Sequence, residues 1–157
     1  MDKELGAARL VRWNKAFSDG DDWMGQQEGR QVKTNRKATI VIEHLIQASD
    51  VSHTMQHWHV YCKWNEKLFQ EMQKAFQQGR LPTDPAGNWY EAELGFFDKY
   101  VIPLAKKLFT CGVFGVSSAE YLNNAIINRK EWAAKGETMV KQYLANAGKM
   151  NESAHGG

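Results

Sequence analysis

The sequence predicts an all-α protein. Large apolar side chains recur every three or four residues through most of the chain, the spacing of one helix face. There is no convincing pair of strands and no internal repeat. Breaks rich in Gly and Pro, GRLPTDPAGN at 79–88 and CGVFGVSS at 111–118, separate stretches long enough for helices. At 157 residues, with 43% hydrophobic and 11% aromatic content, the chain has the size of one domain able to bury a core.

The elements follow in order. Between Lys3 and Phe17, the positions of Leu5, Leu10, Val11, Trp13 and Phe17 predict an amphipathic helix. Ser18 to Val32, SDGDDWMGQQEGRQV, is rich in Gly, Asp and Gln and reads as a solvated, partly disordered loop, so residues 1–34 form a helix and a flexible polar segment. NRKATIVIEHLIQASD spreads Ile40, Val41, Ile42, Leu45 and Ile46 nearly all round a helix, as in an element buried on several sides. Its β-branched TIVI would suit a strand, but the length favours a helix. From His57 to Gln78, Trp58, Tyr61, Trp64, Leu68, Met72 and Phe76 make one long stripe opposite charges. The next helix starts near Trp89, runs past Phe96, Tyr100 and Leu104, and bends at Pro103, which lacks a backbone donor. Ser117 and Glu120 have capping-box spacing for a last helix from about Ala119. The main body is therefore 35–145, and 146–157 is a disordered tail.

Charge and cysteine content exclude several functions. The 20 basic and 18 acidic side chains nearly cancel, so no strong positive field marks a nucleic-acid binder. Cys62 and Cys111 match no metal-knuckle spacing and suit two half-buried thiols in a reducing compartment. No apolar run has the length of a membrane span or the form of a signal peptide, which points to a cytoplasmic chain or the cytoplasmic portion of a longer membrane-associated one.

Residues 46–61, IQASDVSHTMQHWHVY, place three of the five histidines near Asp50. If residues 50–59 are helical, Asp50, His53 and His57 share a face and could ligate one zinc ion. The same spacing arises by chance on helix surfaces. His59 would point away into solvent, and His44, inside IVIEHLIQ, is more often a hydrogen-bonded core histidine than a ligand.

A wider pattern changes the weighing. Ser49-Asp50-Val51-Ser52-His53, Tyr61 with Trp64, Glu93-Leu94-Gly95-Phe96-Phe97-Asp98, Pro103-Leu104, and Asn128-Arg129 with Trp132 occur in this order. Over residues 35–135 this resembles the carboxy-terminal half of the class I 3′,5′-cyclic nucleotide phosphodiesterase catalytic domain, a compact multi-helix (HD-type) fold. The resemblance implies metal-dependent hydrolysis of cAMP or cGMP to the 5′-monophosphate, with zinc and magnesium as cofactors. Asp50 is then one of the metal ligands, the alternative being a helix cap. By the same resemblance Phe96 stacks on the base, with Leu68 on the opposite wall and Met72 lining the same pocket; Phe96 and Met72 would otherwise be core packing. Asp50 should then face the cavity beside Phe96.

The departures from the family pattern are specific. Glu93 stands where a glutamine usually reads the purine edge. An ionised carboxylate only accepts, which disfavours adenine and tolerates guanine; a buried, protonated one behaves like the amide. His53 replaces a common asparagine and is expected near metal-bound water or phosphate, with a ligand role second. No histidine precedes His44, so nothing matches the family's H-N-x-x-H segment, its H-D pair or its general acid. The expectation is a phosphodiesterase fragment inactive alone, with a cyclic nucleotide as ligand and association with the missing half-domain or with itself. Two alternatives are a non-catalytic helical interaction module and a local zinc protein using Asp50, His53 and His57.

Overall fold

The computed structural model describes residues 11–13 and 27–155, and among them every regular element is helical. Helix α1 is Gln27–Asp50, followed by a 3-10 turn, Ser52–Met55. Helix α2 is Trp58–Gln77, a short 3-10 turn covers Pro85–Gly87, and α3 is Trp89–Phe96. A π-helical turn, Phe97–Val101, joins α3 to α4, Ile102–Cys111, and α5 is Ser117–His155. The expected helix over 3–17 lies mostly outside the described residues, with 11–13 helical.

Several boundaries differ from those read in the sequence. Residues from Gln27 belong to α1 and not to the polar loop, because the polar QEGRQV is compatible with helix once the apolar turns after it propagate the hydrogen bonding. The 146–157 segment, expected to be disordered, continues α5 to His155. The bend expected at Pro103 is taken up one turn earlier: proline has no N–H for the carbonyl four residues back, and the π turn lets Phe97 and Val101 both stay buried. The amides of Ser117, Ser118 and Ala119 donate to the carbonyls of Phe114, Gly115 and Val116, so the Ser117–Glu120 capping box has no open amide at Ser117 to serve. Gly112, in the left-handed region at φ 65°, ends α4.

Burial follows a four-residue period more strictly than expected. On α1, Ile40, His44 and Ala48 are buried, whereas Ile42 and Ile46 are 55% and 60% exposed; the helix is covered on one side only. His44 is buried and its Nδ1 lies 2.6 Å from the Ile40 carbonyl, as a core histidine should. On α2 the inward row is Tyr61, Asn65, Phe69 and Gln73, while Trp64 and Leu68 of the anticipated stripe face outward. Two amides sit in that row because each has a partner: Trp89 Nε1 donates to Asn65 Oδ1 (3.1 Å), and Gln73 Nε2 donates to Asp84 Oδ1 (2.9 Å).

Helix α5, about 58 Å long at 1.5 Å per residue, crosses α2, α3 and α4 and closes the core. Trp132 and Tyr143 are its largest buried side chains, packed with Tyr61, Phe69 and Phe97 from the other helices. Gly136 is required where α5 meets α3. A Cβ there would lie 2.7 Å from the Tyr90 ring and 2.8 Å from Trp132.

Candidate functional site

Two long side chains bridge helices α2 and α3: Tyr61 of α2 meets Glu93, and Trp89 of α3 meets Asn65. The Tyr61 hydroxyl donates to Glu93 Oε2 at 2.8 Å. Tyr61 is fully buried among Trp58, Phe97 and Trp132, with ring centroids 5.5, 5.2 and 5.8 Å away. Burial pushes the Glu93 carboxyl above its ordinary value, and the phenol bond offsets part of that rise. Burial and then the Glu93 charge hold the Tyr61 hydroxyl protonated well above the usual tyrosine range. In the sequence Tyr61 stands in the apolar stripe and in a family motif, and neither points to this bond. Its pairing with Glu93 spans 32 residues and leaves no local signal.

Phe96 follows Glu93 by three residues and is half-buried against the core. Its ring lies parallel to Tyr100, with centroids 5.4 Å apart and 11° between planes. Leu68, 43% exposed, and Met72, half-buried against the core, lie on α2 roughly two and three turns beyond Tyr61.

Asp50 is the last residue of α1 and its side chain is exposed. Beside it is a cleft of about 200 Å³ lined by Leu45, Ala48, Ser49, Ser52, Met55 and Phe114, among others. Phe96, Glu93, Leu68 and Met72 are not part of that cleft. The expectation that Asp50 faces a cavity beside Phe96 is therefore not met: α1 ends at Asp50, and the chain turns inward only from Val51, burying Thr54 and Met55.

The shared helical face proposed for Asp50, His53 and His57 is also absent. The backbone passes from α1 into the 3-10 turn and then through extended Gln56, and His57 is the residue before α2. His53 is half-buried, which pushes its imidazole pKa down, while His57 and His59 are exposed. Among the described residues no three His, Cys, Asp or Glu side chains converge to hold an ion. The donors of these residues therefore do not fit zinc or magnesium by themselves, since a single carboxylate leaves most of a divalent ion's coordination shell unfilled.

Two asparagines of α5 reach the same turn. Asn128 Nδ2 donates to the carbonyls of Thr54 (2.9 Å) and Gln56 (2.7 Å), and Asn124 Nδ2 donates to that of Met55 (3.3 Å). Arg129 makes a two-point pair with Asp98, which holds that exposed carboxyl below its ordinary range. No helix among the described residues is long and apolar enough to cross a membrane.

Comparisons with curated proteins and with solved structures found no match. The family described as 3′5′-cyclic nucleotide phosphodiesterase matches over residues 10–112. That span takes in Asp50, Tyr61, Glu93, Phe96 and Pro103, begins at residue 10 and not at 35, and stops before Asn128. Matching more than half of the sequence, it makes this chain a member of the 3′,5′-cyclic nucleotide phosphodiesterase family.

Proposed function

We propose that the chain is the carboxy-terminal part of a cyclic nucleotide phosphodiesterase catalytic domain that binds the base and contributes one carboxylate to a metal site completed by another polypeptide segment. The observation that carries this reading is the Tyr61–Glu93 pair: a half-buried carboxyl held by a buried phenol, three residues before a half-buried aromatic ring, where the family places its base-reading glutamine. With its pKa raised by burial, Glu93 keeps its proton to higher pH than an ordinary glutamate. A protonated carboxyl donates and accepts, as the amide does. In this role Glu93 reads the purine edge and Phe96 stacks on the base, with Leu68 and Met72 as its further walls.

In this reading Asp50, exposed at the end of α1, supplies its carboxylate to a site shared with groups outside this chain. His53, half-buried one turn on, acts near the phosphate. The exposed Ile42 and Ile46, on the helix that ends in Asp50, supply an apolar seat for the complementary segment. Alone, the chain has no histidine ahead of Asp50 except His44, whose ring is buried, and is not expected to hydrolyse cyclic nucleotides.

The test is a hydrolysis assay on cAMP and cGMP with the purified chain, alone and mixed with a polypeptide carrying the family's H-N-x-x-H and H-D segments. The expected result is turnover only in the mixture, abolished by Asp50→Ala. Glu93→Gln should leave the nucleotide preference unchanged; a swing toward cAMP would mean that Glu93 acts as an ionised acceptor instead. Turnover insensitive to Asp50→Ala removes Asp50 from the site.

A further inference from the structure

The segment 51–57 turns the chain from α1 into α2 and has no side-chain cap at either end: Val51, before the 3-10 turn, and His57, before α2, make none. Its internal bonds are few, chiefly Thr54 N and Oγ1 to the Val51 carbonyl and a long Gln56 N to the His53 carbonyl. Three successive carbonyls, Thr54, Met55 and Gln56, instead receive N–H groups from two side chains on α5, 69 to 74 residues away. Asn128 is 0% exposed and bridges two of them with one amide nitrogen. Its Oδ1 is buried with no partner, so what this residue supplies is the NH2 group. An aspartate would face two carbonyl oxygens with no proton to give, and a leucine would fill the space with no donor.

We propose that Asn128, assisted by Asn124, is a positioning residue for the site: it sets the direction in which the chain leaves α1 and so fixes Asp50 and His53 relative to α2, which carries Tyr61 and, through it, Glu93. The purpose of the clamp rests on the phosphodiesterase reading, whereas its mechanics do not. The buried amide acts on the backbone of the turn and touches neither carboxylate nor imidazole.

The experiment compares Asn128→Leu, Asn128→Asp and the milder Asn124→Ala in the full chain by amide hydrogen exchange and by the imidazole NMR signals of the histidines. Loss of the single Asn124 bond should speed exchange at 52–57 by up to about tenfold, and loss of the two Asn128 bonds by more. It should move the His53 signal toward that of exposed His59, with His44 and the α2–α4 core amides unchanged. Slow exchange and an unmoved His53 signal in Asn128→Leu would show that packing holds the turn and would overturn the proposal. Should the Asn128 variants fail to fold, Asn124→Ala decides it by the same two signals.

In the complemented assay, Asn124→Ala should lower kcat several-fold with KM unchanged, because the base-binding residues lie on α2 and α3. An unchanged kcat overturns the positioning role and leaves the phosphodiesterase reading standing. Absence of turnover in the complemented wild type sinks that reading instead, and the exchange and His53 signals still decide the clamp.

Discussion

Replacing Tyr61 with phenylalanine removes one hydroxyl from the centre of the protein and little else. The ring contacts to Trp58, Phe97 and Trp132 persist, because phenylalanine occupies the same space. What is lost is the 2.8 Å bond to Glu93, leaving that half-buried carboxyl without its phenol partner. Leaving such a carboxyl without its partner costs about 1–3 kcal/mol. In a chain of this length 1 kcal/mol moves Tm by about 2–4 °C, so Tyr61→Phe should lower it by about 2–12 °C. The double variant Tyr61→Phe/Glu93→Leu removes both partners, and its loss should fall short of the sum of the single variants by about 1–2 kcal/mol. Urea or thermal unfolding of the four proteins at neutral pH reads both quantities. Strict additivity, or a Tyr61→Phe protein as stable as wild type, would refute the claim that this pair organises α2 against α3.

The pH dependence of the same pair has a definite sign. Glu93 has a folded pKa above the ordinary 4.5, so the stability it lends is complete below that value and is lost as pH rises through the folded pKa. Glu93→Gln should therefore gain stability relative to wild type between acid and neutral pH, and parallel stability curves would contradict this. Asp98 runs the other way: its pKa is lowered by Arg129, so its contribution is present above the ordinary 3.8 and fades as pH falls through the folded value. Because the pair is exposed, Arg129→Ala should cost only about 0.2–1 kcal/mol, less in high salt, as denaturant titration will show. Gly136→Ala should lose about 1–3 kcal/mol by forcing Tyr90 or Trp132 aside; an unchanged Tm would mean the α3–α5 contact is looser than described. Zinc uptake by the chain, followed by calorimetry, should be unaffected by His57→Ala, since His57 shares no donor cluster.

The helices were legible wherever apolar residues recur at three and four, which is why α2 and the Trp89–Cys111 stretch emerged at nearly their observed limits. Which side of each helix faces inward was less so. Trp64 and Leu68 are apolar yet exposed, while Asn65 and Gln73 are polar yet buried, because hydrogen-bond partners 24 and 11 residues away decide burial there. The candidate site shows the same division. Glu93, Phe96 and Asp50 stand in the family motifs and could be named as candidates from the sequence; that burial raises the Glu93 pKa could not. The Tyr61–Glu93 bond and the Asn128 clamp join residues 32 and more than 70 positions apart, and no local pattern encodes such pairings. The histidine cluster misled for the opposite reason: its spacing is helical, but the helix stops at Asp50.

The central claim, that this chain carries the base-binding wall, is tested most directly by titrating the purified chain with cGMP and with cAMP and following the aromatic NMR signals. Ring-current shifts at Phe96 and Tyr100 that saturate with either nucleotide, and vanish in Phe96→Ala, are the predicted result. Signals at both rings that stay fixed in a folded chain, up to millimolar nucleotide, would contradict it.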